Sequence, residues 1–281
     1  MVHILIDSTS DITREEAASL GITVAPLTVR FGSAEYQDGV DLTPPVFFRK
    51  LEESKVVPVT SQVNSGEFME LYKGLLQEKN DELLGIFISS RLSGTYQSAV
   101  IAKNTFPRRS IHLVDGGSGS FGTDLLIREA LRLRDKGLSA GEIAGELDRL
   151  KGRVRILATL ESLKYLLKGG RLPAASAIVG TLLHVKPVLT VKDGKIDVVK
   201  KVRGNLAAYQ WIARELSEKG FDTRYTPRLG STQCPLLLDT FRQKLTDQGL
   251  DISQWGHTDM GVVIGTHTGP GCVGVAYIEK E

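Results

Sequence analysis

The stretch Leu83–Ala99, LLGIFISSRLSGTYQSA, decides how the chain is read. It opens on a continuous apolar run, Leu84–Ile88, which reads as a buried strand. It then passes through Ser89-Ser90-Arg91-Leu92-Ser93-Gly94-Thr95 and places Tyr96, Ala99, Val100 and Lys103 at helical spacing. Strand, hydroxyl- and glycine-rich turn, helix: this order puts Ser93, Gly94 and Thr95 at a helix N-terminus. Unpaired amides and the helix dipole favour an anion there. Ser93 is expected to cap the helix with its side chain, and Gly94 to let a ligand approach the backbone. An ordinary N-cap after a strand would leave the same local pattern.

Working outward, the same alternation repeats. Residues 3–7 read as a short buried strand that runs into Asp7-Ser8-Thr9-Ser10-Asp11, and Thr13 and Glu16 then have capping-box spacing ahead of a helix closed by Gly21. A β-rich run covers Thr23–Phe31. Thr43 with Pro44 starts a helix to about Glu53, and a second helix runs from Ser65 to about Lys79. Ile111–Asp115 is a strand followed by a Gly/Ser-rich loop, Gly116–Gly122, a helix Thr123–Lys136, and a second capping box, Ser139 and Glu142. Strand and helix in alternation argue for a mostly parallel sheet covered by helices. In such sheets ligands sit beyond the carboxyl ends of the strands, where the polar loops 8–11, 89–95 and 116–120 leave.

The second half changes character. Val154–Thr159 reads as a strand, Leu160–Lys168 as a helix stopped by Gly169-Gly170, and 173–183 as a small, Ala-rich apolar segment. Lys186–Val191, Asp193-Gly194 and Lys195–Lys201 form a hairpin pattern with an Asp-Gly turn. Helices are expected over 205–219 and 235–248, a loop over 221–233, a strand at Gly261–Gly265 and a last strand at Cys272–Ile278. The fold class is therefore α/β in two domains. Residues 1–153 carry a mostly parallel sheet flanked by helices and the head-group loops; residues 154–281 form a mixed α+β sheet domain.

Composition narrows the function. The 281 residues are 41% hydrophobic and 24% charged, so a sizeable core or an apolar cavity is feasible. Net charge is +2, without the basic face that nucleic-acid binding needs. No run approaches the ~18 apolar residues of a membrane helix. Cys234 and Cys272 are far apart with no metal spacing, and the five histidines are scattered, which fits a reduced cytoplasmic setting without metal.

Several residues have chemistry to offer. Ser93, His267 and Asp7 have the residue types of a hydrolase triad, but no G-x-S-x-G elbow is present. Gly116–Gly122 lacks the P-loop lysine. Asp7 and Asp11 flank a turn where Asx caps are common. His267 follows an apolar run in the Gly-rich segment Thr266–Gly271, where an imidazole suits a carboxylate or phosphate. Lys168-Gly169-Gly170-Arg171 reads either as a helix stop with a solvated cation or as the basic group of an anion site.

Six segments in order resemble the DegV family of fatty-acid-binding proteins, the lipid-carrier subunits of bacterial fatty acid kinase. They are Asp7–Asp11, Thr60-Ser61-Gln62, Ser93–Ala99, Leu166–Arg171, Lys186-Pro187-Val188-Leu189 and Gly265–Gly271. The resemblance implies a cytoplasmic protein that holds one long-chain fatty acid, such as palmitate, with its tail buried. It implies that the carboxylate meets Thr60, Ser61, Ser93, the Gly94 amide and His267. It further implies that the chain is not itself a catalyst and uses no cofactor. A separate ATP-dependent kinase would convert the bound acid to an acyl phosphate for phospholipid synthesis, with Arg203 as a docking candidate and transient membrane contact allowed. The tail is expected against the helices near 163–183. The alternative is a small-molecule phosphotransferase or hydrolase using the same Ser/His pocket.

Overall fold

A computed structural model describes residues 1–172 and 185–281. The expected Ala-rich segment at 173–183 lies outside them.

The first sheet is parallel, in the order β2-β1-β6-β7: β2 Ile22–Ala25, β1 Val2–Asp7, β6 Glu82–Phe87 and β7 Ser110–Asp115. Its strands are buried on both faces, which is why they read as continuous apolar runs. Ile4, Ile6, Leu84 and Ile86 point to one core with helices α5 (Phe121–Asp135) and α6 (Ala140–Leu150). Leu5, Leu83 and Phe87 point to another with α2 (Pro44–Glu53), α3 (Ser65–Leu75) and α4 (Thr95–Lys103). Capping fixes the helix starts. Asn64 with Glu67 and Ser139 with Glu142 form reciprocal capping boxes, and Thr13 caps α1 (Arg14–Ser19).

A small antiparallel sheet, β4-β3-β5, holds Ala34–Gln37, Thr28–Phe31 and Val59–Ser61. The Thr23–Phe31 run thus divides near Pro26 between two sheets. Thr60, expected in an extended or loop segment, sits opposite Val29.

The third sheet is mixed, in the order β10-β9-β8-β13-β11-β12. Its strands are β8 Val154–Thr159, β9 Val185–Lys192, β10 Lys195–Arg203, β11 Arg228–Ser231, β12 Gly256–Asp259 and β13 Val273–Ile278. The β9–β10 hairpin forms as expected, and both turn residues, Asp193 and Gly194, have positive φ. One face of this sheet packs Leu157, Val188, Val273 and Val275 against α8 (Asn205–Lys219) and α9 (Pro235–Asp247). The other turns Ile156, Ala158 and Leu189 toward the first core.

Four expectations are corrected. The segment 221–233 contains β11, which pairs with strands on both sides. The run at 261–265 is helical: α10 spans Val262–Thr268, so His267 lies in a helix and not in a loop. The helix expected from Leu160 is α7, Lys164–Lys168, and α5 begins at Phe121, inside the expected Gly/Ser loop. Helix α10 packs on α2, α7, β3 and β5, and Val262 and Val263 belong to the core of α2–α4.

Candidate functional site

The three polar loops meet as expected at the carboxyl ends of the parallel strands. Thr9, Ser93, Gly94, Gly119 and Ser120 all line one cavity of about 350 Å³ between those ends and the inner face of the mixed sheet. Cavities of this size hold small organic ligands. Its walls are apolar and buried, among them Ile156, Ala158, Leu160, Leu166, Leu189 and Val263. Strands β8 and β9 and helix α10 supply much of this apolar wall, and Leu166 of α7 joins it; of the expected wall near 163–183, residues 173–183 lie outside the described residues. Strand alternation brings β8 into the wall: every second residue of β8 faces inward, and no sequence window shows which sheet face meets the first domain's loops.

The polar end is near the surface. Thr60, Ser61, Gln62, Ser93, Gly94, Arg171 and His267 line it. Ser61 and Gln62 are exposed, Thr60, Ser93 and Arg171 are half-buried, and His267 is 9% exposed. Thr60 Oγ1 lies 2.8 Å from His267 Nε2, a bond between residues far apart in sequence. His267 Nδ1 is buried without a partner, against Gly169. Burial, with the Arg171 charge beside it, pushes the imidazole down to about 4. The ring is therefore neutral at pH 7, with one donor and one acceptor nitrogen.

Ser93 does not cap α4 as expected. Gly94 is the N-cap residue, and Ser93 Oγ is 2.9 Å from Thr95 Oγ1 and accepts from Thr95 N at 3.3 Å. Its hydroxyl is thus directed by a neighbouring hydroxyl at the mouth of the cavity. The Gln62 side chain lies directly on Gly94: a Cβ there would stand 2.7 Å from Gln62 Cδ. Gln62 Nε2 donates to Ser98 Oγ at 2.8 Å, which ties the Thr-Ser-Gln segment to α4.

Arg171 is the residue whose two readings the structure separates. It is no solvated cation. Its Nε donates to Leu92 O at 3.0 Å and Nη1 to Gly169 O at 2.6 Å, so backbone carbonyls aim the guanidinium at the polar end. Burial lowers its basicity, yet a guanidinium stays charged. The polar end is therefore not built of neutral donors alone. Arg203 ends β10, exposed, and does not line the cavity.

The hydrolase arrangement is not assembled. The hydrogen bond of the imidazole goes to Thr60 and not to Ser93. Asp7 accepts from Thr9 and from Ile88 N and does not orient His267. Among the described residues no His/Cys/Asp/Glu group is arranged to hold a metal ion, and no helix is long and apolar enough to cross a membrane.

Fold and site together define an α/β protein with a buried apolar cavity capped by a small set of hydrogen-bond donors and one guanidinium. The chain belongs to the DegV family, whose model, described as an uncharacterised protein family, matches residues 1–280. It is 36% identical over 280 residues to a DegV domain-containing protein of Caldanaerobacter subterraneus subsp. tengcongensis, covering 99% of both chains. The structure is similar to that of a DegV family protein from Thermus thermophilus reported for its fatty acid binding, with TM-score 0.90, 32% identity and 99% of each chain covered. It is also similar to a stearic acid-binding protein from Eubacterium ventriosum, with TM-score 0.87, 27% identity and 100% and 99% of the two chains covered.

Proposed function

We propose that this protein binds one long-chain fatty acid, tail inward and carboxylate at the Thr60–His267–Arg171 end. The observation that carries the reading is the cavity itself: mostly apolar along its buried walls, with Thr60, Arg171 and His267 gathered at one end, in a family whose solved members include fatty-acid-binding proteins. Burial of a tail contributes about 0.8 kcal/mol per methylene, so the hydrocarbon supplies most of the affinity. The polar end fixes orientation, because an unpaired buried carboxylate is costly. Thr60, Ser61, Ser93 and the Gly94 amide are donors for it, His267 holds the Thr60 hydroxyl in place, and Arg171 supplies the counter-charge. Residues 1–153 would give the hydroxyl loops and 154–281 most of the tail wall.

The finer reading is that the chain is a carrier that presents the carboxylate to a separate ATP-dependent kinase for acyl-phosphate formation. It is supported by an exposed cation, Arg203, outside the cavity. The test is mass spectrometry of lipid extracted from freshly purified protein. A long-chain acid at about one per chain is expected, and Ser93→Ala and His267→Ala should each weaken rebinding about 10-fold. Unchanged affinity in both would remove the head-group assignment, and turnover of a phosphorylated or acylated compound by the chain alone would favour an enzyme.

A further inference from the structure

The Asp7-Ser8-Thr9-Ser10-Asp11 run takes no part in the head-group reading, yet the cavity is built around it. Three carboxylates meet where it ends. Asp7 and Asp38 are buried and Asp11 partly so. Each accepts a backbone amide from a segment that supplies cavity residues. Asp7 Oδ2 accepts from Ile88 N at 2.8 Å, Asp11 Oδ1 from Gly261 N at 2.9 Å, and Asp38 Oδ1 from Val262 N at 3.2 Å.

Asp11 has a second bond that makes it the hub. Ser120 Oγ donates to its other oxygen, and Ser120 N donates to Thr9 O at 2.8 Å. Ser120 is the residue before α5 and lines the cavity with Phe121; Gly261 is the residue before α10, which carries His267. One side chain thus touches the starts of both helices. Asp11 and Ser120 also both have positive φ, at 59° and 52°, a backbone region that non-glycine residues adopt only where the surroundings hold them there.

We propose that Asp11 is a positioning residue for ligand binding: by fixing the starts of α5 and α10 relative to each other, it sets where His267 meets the head group and where Ser120 and Phe121 wall the tail. The proposal rests on the lipid-binding reading above. A carboxyl is suited to the role because it offers two acceptor oxygens in a rigid plane at the end of one short side chain. Burial, with Asp38 and Asp7 nearby, raises the Asp11 carboxyl well above its ordinary value. The Cys272 thiol also faces it. Asparagine is therefore its neutral stand-in: Oδ1 accepts from Gly261 N, and Nδ2 donates to Ser120 Oγ.

The test compares the delipidated full chain with Asp11→Asn, Asp11→Ala and Ser120→Ala. Affinity for a fluorescent C16 fatty acid, the thermal midpoint and the ¹⁵N resonances of the His267 ring are measured on each. Asp11→Ala should weaken binding at least about 10-fold and shift the imidazole resonances, and Asp11→Asn should stay within about 3-fold of wild type. Ser120→Ala, which removes only the arm to α5, should lose affinity by an intermediate factor and keeps the test valid if Asp11→Ala does not fold. The proposal is overturned if the folded variants melt earlier but bind as wild type with unchanged ring resonances, or if Asn is as weak as Ala. Wild-type protein that binds no fatty acid at all would instead remove the lipid reading, and the proposal with it.

Discussion

Gly169→Ala isolates the contribution of His267. A Cβ at Gly169 would stand 2.8 Å from His267 Cε1, closer still to Nδ1, and 3.1 Å from Tyr165 O. Gly169 has φ −77°, so alanine meets no backbone penalty and the clash is the whole perturbation. Ordinary contact begins near 3.5 Å, so the ring must move by roughly 1 Å. It is bounded by Gly169 at Nδ1 and by Thr60 Oγ1, 2.8 Å from Nε2, and a shift of that size breaks the Thr60 bond. Overpacking of this kind costs about 1–3 kcal/mol, a Tm drop of about 2–10 °C for a chain of this length. The Thr60 hydroxyl then loses the group that orients it at the head group, and loss of one hydrogen bond to a carboxylate is worth about 1.5–3 kcal/mol, or roughly 10- to 100-fold in affinity. The assay is displacement of a fluorescent fatty acid from delipidated protein, read beside a thermal melt. Gly170→Ala is the control. Its φ of 69° makes alanine strained by about 1–2 kcal/mol, but nothing lies within 4 Å of its Cβ, so stability should fall and affinity should not. Folded Gly169→Ala protein with affinity within about 2-fold of wild type, or an equal loss in Gly170→Ala, would refute the placement of the imidazole at the head group.

Three further outcomes follow from the same geometry. The Phe121 ring lies on Gly230, where a Cβ would meet Cε1 at 2.5 Å; Gly230→Ala should drive the ring into the cavity and shift the co-purified acids toward shorter chains, read by mass spectrometry. Burial raises the Asp38 carboxyl from 3.8 to about 6. Its contribution is full below pH 4 and lost as pH rises through 6, so Asp38→Asn should gain on wild type between pH 4 and pH 8 by on the order of 3 kcal/mol in urea melts; a gap that does not grow with pH would refute this. His267 has the opposite sign. Its value falls from 6.5 to about 4, so its contribution is present above pH 6.5 and lost as pH falls toward 4, and His267→Gln should flatten that part of the stability–pH curve.

The local chemistry was legible without coordinates wherever a few neighbouring residues decide it. The apolar runs of β1, β6 and β7, the Thr13 cap, the capping box at Ser139, and the Asp193-Gly194 turn are fixed by period, side-chain reach and φ. The order of strands and helices then implied that loops 8–11, 89–95 and 116–120 share one end of a sheet, and they do. Short apolar runs and distances across the chain were not legible. Val262-Val263-Ile264 has no period long enough to tell strand from helix. It is helical because Asp11 and Asp38, 250 and 224 positions away from their partners, accept its first amides, and because Gly265 lets the turn sit against Phe47 and Phe48. The same holds for Arg171, a helix-stop cation by sequence, which becomes a cavity group only because Leu92 O and Gly169 O hold it there. Side-chain identity and spacing set which groups are available, whereas which of them face a common space depends on contacts between residues hundreds of positions apart, which only the packed chain brings together.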